Sequence, residues 1–176
     1  MSQHEVEFVL NGERVHTQVE ASWTIVDVLR RRLGWTGTKL GCGVGVCGVC
    51  SVLVDGTLLS GCLFPAVHLP GADVVTIEGI AGGDGALTSL QQAFIDQGGF
   101  QCGICTSGQV VAATALLRER SEPAEDEIVE WMKGNLCRCT GYYGIVRAIR
   151  AAAGSDSAAA GVEPAVASSG AACTRS

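Results

Sequence analysis

Basic residues are in deficit in this chain, with 12 Lys and Arg against 18 Asp and Glu and a formal charge of −6. A broad polyanion-binding surface needs the opposite balance, so nucleic acid is a poor candidate partner. Long apolar runs are missing as well. No stretch of about 18 apolar residues occurs, which argues against membrane insertion. The opening Met1-Ser2-Gln3-His4-Glu5-Val6-Glu7 has neither a basic n-region nor an apolar h-region. Arg30-Arg31-Arg32 is followed by Leu33-Gly34-Trp35-Thr36-Gly37-Thr38-Lys39 instead of the greasy segment that a twin-arginine signal requires. A cytoplasmic chain with reduced thiols is therefore expected, and there cysteines at short spacings read as metal ligands before disulfides. Also absent are an activated nucleophile, a general acid and base pair, a dinucleotide-type phosphate loop and an internal repeat. No catalytic residue is expected on this chain, and its substrate chemistry would belong to a partner.

What is present is a globular composition, 47% apolar and 17% charged over 176 residues, enough to bury a core. Glycine, at 24 residues, is about twice its usual share of about 7%. Nine cysteines exceed what packing alone calls for.

The first part of the chain has the period of a sheet. Glu5 to Leu10 and Arg14 to Val19 flank Asn11-Gly12, and Ser51 to Val54 and Thr57 to Leu59 flank Asp55-Gly56, so two hairpins are expected. Val74 to Ile77 supplies a fifth strand. Between the hairpins, Thr24 with Asp27 resembles a capping box that opens a short helix from Ile25 to Leu33, closed by Gly34. Residues 1–80 thus read as α+β, a small mixed sheet crossed by one helix.

Residues 81–87 read as a linker, after which the period changes to 3.6. Thr88 with Gln91, and Thr106 with Gln109, fit caps for helices over Ser89 to Gln97 and Ser107 to Arg120. Pro123 suits the first turn of a third helix ending near Gly134, and Tyr142 to Ala153 gives a fourth. Residues 88–153 read as an all-α four-helix bundle. Residues 154–176, rich in Ala, Ser and Gly, read as a disordered tail.

The cysteines fall into two sets. Cys42, Cys47 and Cys50 form C-x4-C-x2-C with Cys62 downstream, the opening of plant-type 2Fe-2S sites. Gly41, Gly43, Gly45 and Gly48 interleave with them, as a loop must when its backbone approaches sulfur and aims N–H groups at an anionic core. Cys62 is expected on the strand after Asp55-Gly56. The second set is Cys102, Cys105, Cys137 and Cys139, a C-x2-C and a C-x-C, each placed before a helix whose free N–H groups favour negative charge. Structural zinc could use the same thiolates, although C-x-C is unusual for it. Cys173 is left over as a free thiol. His4, His16 and His68 lie outside both sets and suit surface roles. Trp23, Trp35, Trp131 and Phe100 suit packing. Arg138, between two proposed ligands, could equally stabilise a cluster or face solvent. An oxidised four-thiolate 2Fe-2S centre carries a charge of about −2 and accepts one electron.

Gly41-Cys42-Gly43-Val44-Gly45-Val46-Cys47-Gly48-Val49-Cys50, Gln101-Cys102-Gly103-Ile104-Cys105-Thr106 and Gly134-Asn135-Leu136-Cys137-Arg138-Cys139-Thr140-Gly141-Tyr142 resemble the three signatures of the iron-sulfur subunit of molybdenum hydroxylases, the xanthine oxidase and carbon monoxide dehydrogenase family. The likeness covers about residues 4 to 153. Val44 stands where the family often has an acid or amide, Ile104 replaces an aromatic and Ser107 replaces the usual proline. The resemblance implies a plant-ferredoxin-like β-grasp domain followed by a four-helix domain, each holding one 2Fe-2S cluster. It implies a large subunit with molybdenum and a pterin cofactor, a medium subunit with FAD, and a dimer of heterotrimers. Electrons would run from molybdenum through the C-terminal cluster and the N-terminal cluster to flavin. Gln101 takes the position that reaches the pterin, with Cys139 near it. The competing readings are a free-standing ferredoxin-type carrier and a zinc-stabilised interaction module.

Overall fold

A computed structural model of the chain describes residues 3–81 and 85–155. Most of the expected tail, Cys173 included, and the middle of the expected linker lie outside the described residues. Strands β1 (Gln3–Leu10), β2 (Glu13–Glu20), β3 (Ser51–Val54), β4 (Thr57–Ser60) and β5 (Asp73–Val75) form one mixed sheet in the order β2-β1-β5-β3-β4. All neighbours are antiparallel except β1 and β5, which pair Val9 with Asp73 and Leu10 with Val74 in parallel. Both hairpins turn where the sequence places them. Asn11 and Gly12, and likewise Asp55 and Gly56, have positive φ at both central positions, the twist that matches two strands joined by a two-residue loop. The fifth strand ends earlier than expected, because Ile77 already opens a 3-10 turn.

Thr24 caps the first helix, α1 (Ile25–Asp27), as expected: its hydroxyl accepts from the Asp27 amide and its own amide donates to the Asp27 carboxylate at 3.0 Å. The helix then widens into a single π turn over Val28–Arg32 before Gly34 stops it. Ile25, Val28 and Leu29 are buried with Val6, Phe8, Leu10, Val52, Val54 and Val74 in the core between α1 and the sheet.

Four further helices follow: α2 (Ser89–Asp96), α3 (Thr106–Glu119), α4 (Glu125–Met132) and α5 (Tyr143–Ala152). Their core includes Leu53 and Val75 from the sheet. This explains why β3 is buried at every position: Val52 and Val54 face α1, while Leu53 faces the later helices. The alternation of strand side chains sends successive residues to opposite cores, and each buried Leu contributes about 1.5–3 kcal/mol. Helix α3 is buried from Ser107 to Leu117, as suits a central helix covered on all sides.

Thr88 caps α2 through a full capping box with Gln91. Thr106 does not do the same for α3. Cys105 occupies the cap position in helical geometry, and the Thr106 hydroxyl is buried without a partner. Its expected counterpart Gln109 turns away to another loop. Pro123 stands before Ala124, the α4 cap, rather than inside the helix. Trp131 donates its indole N–H to the Ala112 carbonyl at 2.8 Å, and Trp23 and Trp35 pack on the sheet core. Phe100, expected to pack, is 42% exposed. No described helix is long and apolar enough to cross a membrane.

Candidate functional site

The loop over residues 41–50 is shaped by backbone positions that only glycine fills cheaply. Gly43 and Gly48 have φ of +69° and +67°, and a Cβ on Gly41 would lie 3.0 Å from the Cys47 sulfur. The result is a loop whose amides turn towards sulfur. Val44 and Val46 donate their N–H groups to Cys42 Sγ at 3.4 and 3.3 Å. Those donors, the Val44 amide foremost and then the Cys47 and Val46 amides, lower the exposed Cys42 thiol to about 6, so Cys42 favours the thiolate. Cys47 faces Cys42 across the loop.

Cys50 and Cys62 lie behind them, both buried. Cys62 follows β4 in a turn and is not on the strand itself. It is anchored through its neighbour, since Gly61 donates to the Cys50 carbonyl at 3.1 Å and accepts from Val26 at 3.3 Å. Burial pushes Cys50 up to about 11, and the Cys62 thiol stands beside it.

The second set forms where α3 and α5 begin. Cys102 and Cys139 are 3.6 Å apart, sulfur to sulfur. The Ile104 amide, and after it the Cys139 thiol, lower Cys102, while sharing that proton raises Cys139. Cys105 faces Cys137; burial first and then this neighbour push it up to about 12. Burial works against the Cys137 thiolate, yet the Thr140 hydroxyl and the amides of Thr140 and Cys139 bring it below the ordinary thiol value. The Tyr142 hydroxyl accepts the Cys137 amide at 2.8 Å, and Tyr142 reaches that place with φ of +69° at the α5 cap.

The eight thiols therefore stand in pairs: Cys42 with Cys47, Cys50 with Cys62, Cys102 with Cys139, and Cys105 with Cys137. Among the described residues no three His, Cys, Asp or Glu side chains gather so as to hold one metal ion. Thiolate pairs suit a two-iron cluster, in which each iron takes two protein ligands. The donor set and the inward amides thus fit 2Fe-2S clusters. Sequence spacing did not foresee that both sets border the same cavity. Cys42 and Cys47 of the first set and Cys102, Cys105, Cys137 and Cys139 of the second all line a cavity of about 440 Å³.

Arg138 is exposed and also lines this cavity. Gln101 is exposed beside Cys102. His4, His16 and His68 are exposed and away from the cysteines, with His16 Nε2 3.9 Å from a Glu5 oxygen. Residues that sequence spacing passed over are Ser51, Gln109 and Asn135, all buried where the cysteine segments meet. The sequence signal for Asn135 was its place in the Gly134-to-Tyr142 signature, two residues before Cys137.

Comparison with known proteins agrees with this chemistry. Residues 8–69 match a 2Fe-2S iron-sulfur cluster binding domain, and residues 76–150 match a 2Fe-2S binding domain. The chain is 43% identical over 150 residues to the nicotine 6-hydroxylase small subunit of Paenarthrobacter nicotinovorans, covering 85% of this chain and 90% of the relative. It is 41% identical over 141 residues to the nicotinate dehydrogenase small FeS subunit of Eubacterium barkeri, covering 80% and 89%. Among solved structures, a chain of quinoline 2-oxidoreductase from Pseudomonas putida 86 superimposes with a TM-score of 0.83 at 41% identity, covering 86% of this chain and 94% of that one.

Proposed function

The chain belongs to the family of 2Fe-2S small subunits of molybdenum hydroxylases, and on that basis we propose how its residues divide the work of carrying electrons. It is the electron-transfer subunit of an oxidoreductase complex. Cys42, Cys47, Cys50 and Cys62 hold one 2Fe-2S cluster, and Cys102, Cys105, Cys137 and Cys139 hold the other. The observation that carries this reading is the standing of the thiols in pairs around glycine-rich turns. Each bound cluster takes up and gives back a single electron. The protein keeps four thiols ready as two facing pairs at each site, and the Val44 and Val46 amides offset negative charge at Cys42.

Residues 1–80 form a β-grasp unit and residues 88–153 a four-helix unit, in this reading. The exposed second set, with Gln101 next to it, faces a large subunit with a molybdenum-pterin cofactor, and the first set faces a medium subunit with FAD. Two such trios make a cytoplasmic dimer of heterotrimers. Support for the direction is Gln101, exposed next to Cys102, whose amide offers both donors and an acceptor to a pterin edge.

Metal analysis of the complex tests this. About four irons and four acid-labile sulfides per small subunit are expected, with molybdenum protein and flavoprotein in the same purified particle. Stoichiometric zinc without sulfide would overturn the cluster assignment. A loaded chain that purified alone from its native source would favour a free-standing carrier.

A further inference from the structure

The two cysteine loops meet at a buried polar joint built around one side chain. Asn135 is 4% exposed. Its Nδ2 donates to the Gly48 carbonyl at 2.9 Å and to the Ser51 hydroxyl at 3.2 Å. Ser51 donates its own hydroxyl proton to the same Gly48 oxygen at 2.7 Å. From the other side Gln109 Nε2 donates to the Asn135 carbonyl at 2.7 Å. Gly48 follows Cys47, Asn135 precedes Cys137 by two residues, and Gln109 lies in the first turn after Cys105. One amide side chain and its backbone thus touch the segments that carry both cysteine sets.

Close backbone approach makes the joint tight. A Cβ on Gly48 would lie 2.3 Å from the Gly134 carbonyl oxygen, and one on Gly108 would lie 2.3 Å from the Gly48 oxygen. Apolar contacts are non-directional and can slide. The two directional N–H bonds of the buried Asn135 amide, to Gly48 and Ser51, restrict the arrangement more than apolar contact does, while the Gln109 Oε1 atom at the edge of this joint is buried without a partner.

We propose that Asn135 is a positioning residue for electron transfer, its side-chain amide fixing the separation and relative orientation of the two clusters. This rests on the 2Fe-2S reading above. Cys42, Cys102 and Cys139 are exposed, so little core surrounds the outer part of either loop. The relative placement of the loops is set where they touch. Tunnelling between two redox centres falls exponentially with their separation, so a joint that holds this distance also holds the rate.

The test is low-temperature EPR of the loaded full chain. When both clusters are reduced, each unpaired spin splits the other's lines by an amount that falls with the cube of their separation. Half-reduced protein reports each cluster without that interaction. Asn135→Ala should retain iron and sulfide and keep the half-reduced signals, while the splitting of the fully reduced state shrinks or smears. Equilibration between clusters after a rapid one-electron reduction should slow several-fold. Unchanged splitting and rate, even with lower thermal stability, would overturn the proposal and leave Asn135 as fold support. If Asn135→Ala loses a cluster, Ser51→Ala decides by the same reading. It removes one of the amide's two acceptors and should produce a smaller change in splitting, and no change would overturn the proposal. Wild-type protein without acid-labile sulfide would strike the cluster assignment itself, a result separable from any effect of the variants.

Discussion

The Leu136 amide donates a 2.9 Å hydrogen bond to the Cys47 carbonyl. Leu136 adjoins Cys137, so the backbone beside one cysteine set is bonded to a member of the other. The two loops are thus joined by a backbone bond as well as by the Asn135 side chain.

Gly48→Ala should be costly. Its φ of +67° and the 2.3 Å approach to the Gly134 oxygen combine a left-handed penalty of about 1–2 kcal/mol with overpacking of about 1–3 kcal/mol. Gly43→Ala shares the positive φ but meets nothing within 4 Å, so about 1–2 kcal/mol is expected. Thermal unfolding of the two variants, with iron content measured beside it, checks the ranking. Equal midpoints would contradict the close approach at Gly48.

Cys47→Ser and Cys137→Ser should each remove a different spectral component, leaving about half the iron and sulfide. If either variant kept both components, the division of ligands into two sets would be wrong.

Thr88→Ala should lower stability by about 1 kcal/mol, because its hydroxyl accepts the Gln91 amide in a capping box. Thr106→Val should cost less. The Thr106 hydroxyl is buried without a partner, and a methyl group of similar size removes that unmet polar atom. Denaturant midpoints of the two variants test this, and a larger loss at Thr106 would show that its hydroxyl has an acceptor after all.

Gln101→Ala should leave both clusters spectroscopically normal, since Gln101 is exposed and lies beside the ligands without being one. In the assembled enzyme the same change should weaken pterin retention or slow reduction of the clusters by substrate, because an amide offers both donors and an acceptor to a pterin edge. Rapid-mixing absorbance measurements give that rate. Full cofactor content and a wild-type rate would return Gln101 to a surface role.

Much of the site was legible in the order of residues. The two hairpins, the Thr24 and Thr88 caps and the short C-x4-C-x2-C, C-x2-C and C-x-C spacings depend on residues a few positions apart, where turn geometry and spacing act directly. Thr106 shows where such reading fails. The Thr-x-x-Gln pattern also occurs there, but the loop that carries Cys105 already enters the helix in helical geometry, and Gln109 finds a stronger demand in the Asn135 carbonyl. A local pattern yields when a distant buried group needs the same side chain.

Residue order carries the donor atoms, the turns that expose amides to sulfur and the helices that begin beside the second set. Tertiary structure alone decided that both sets border one cavity, that Leu53 joins the core of the later helices while Val52 joins that of α1, and that Asn135 reaches Gly48. The reason is physical. Short-range rules follow from bond geometry within a few residues, whereas the meeting of distant loops depends on how whole faces bury their apolar surface, and one residue's position in sequence does not encode which face it will meet.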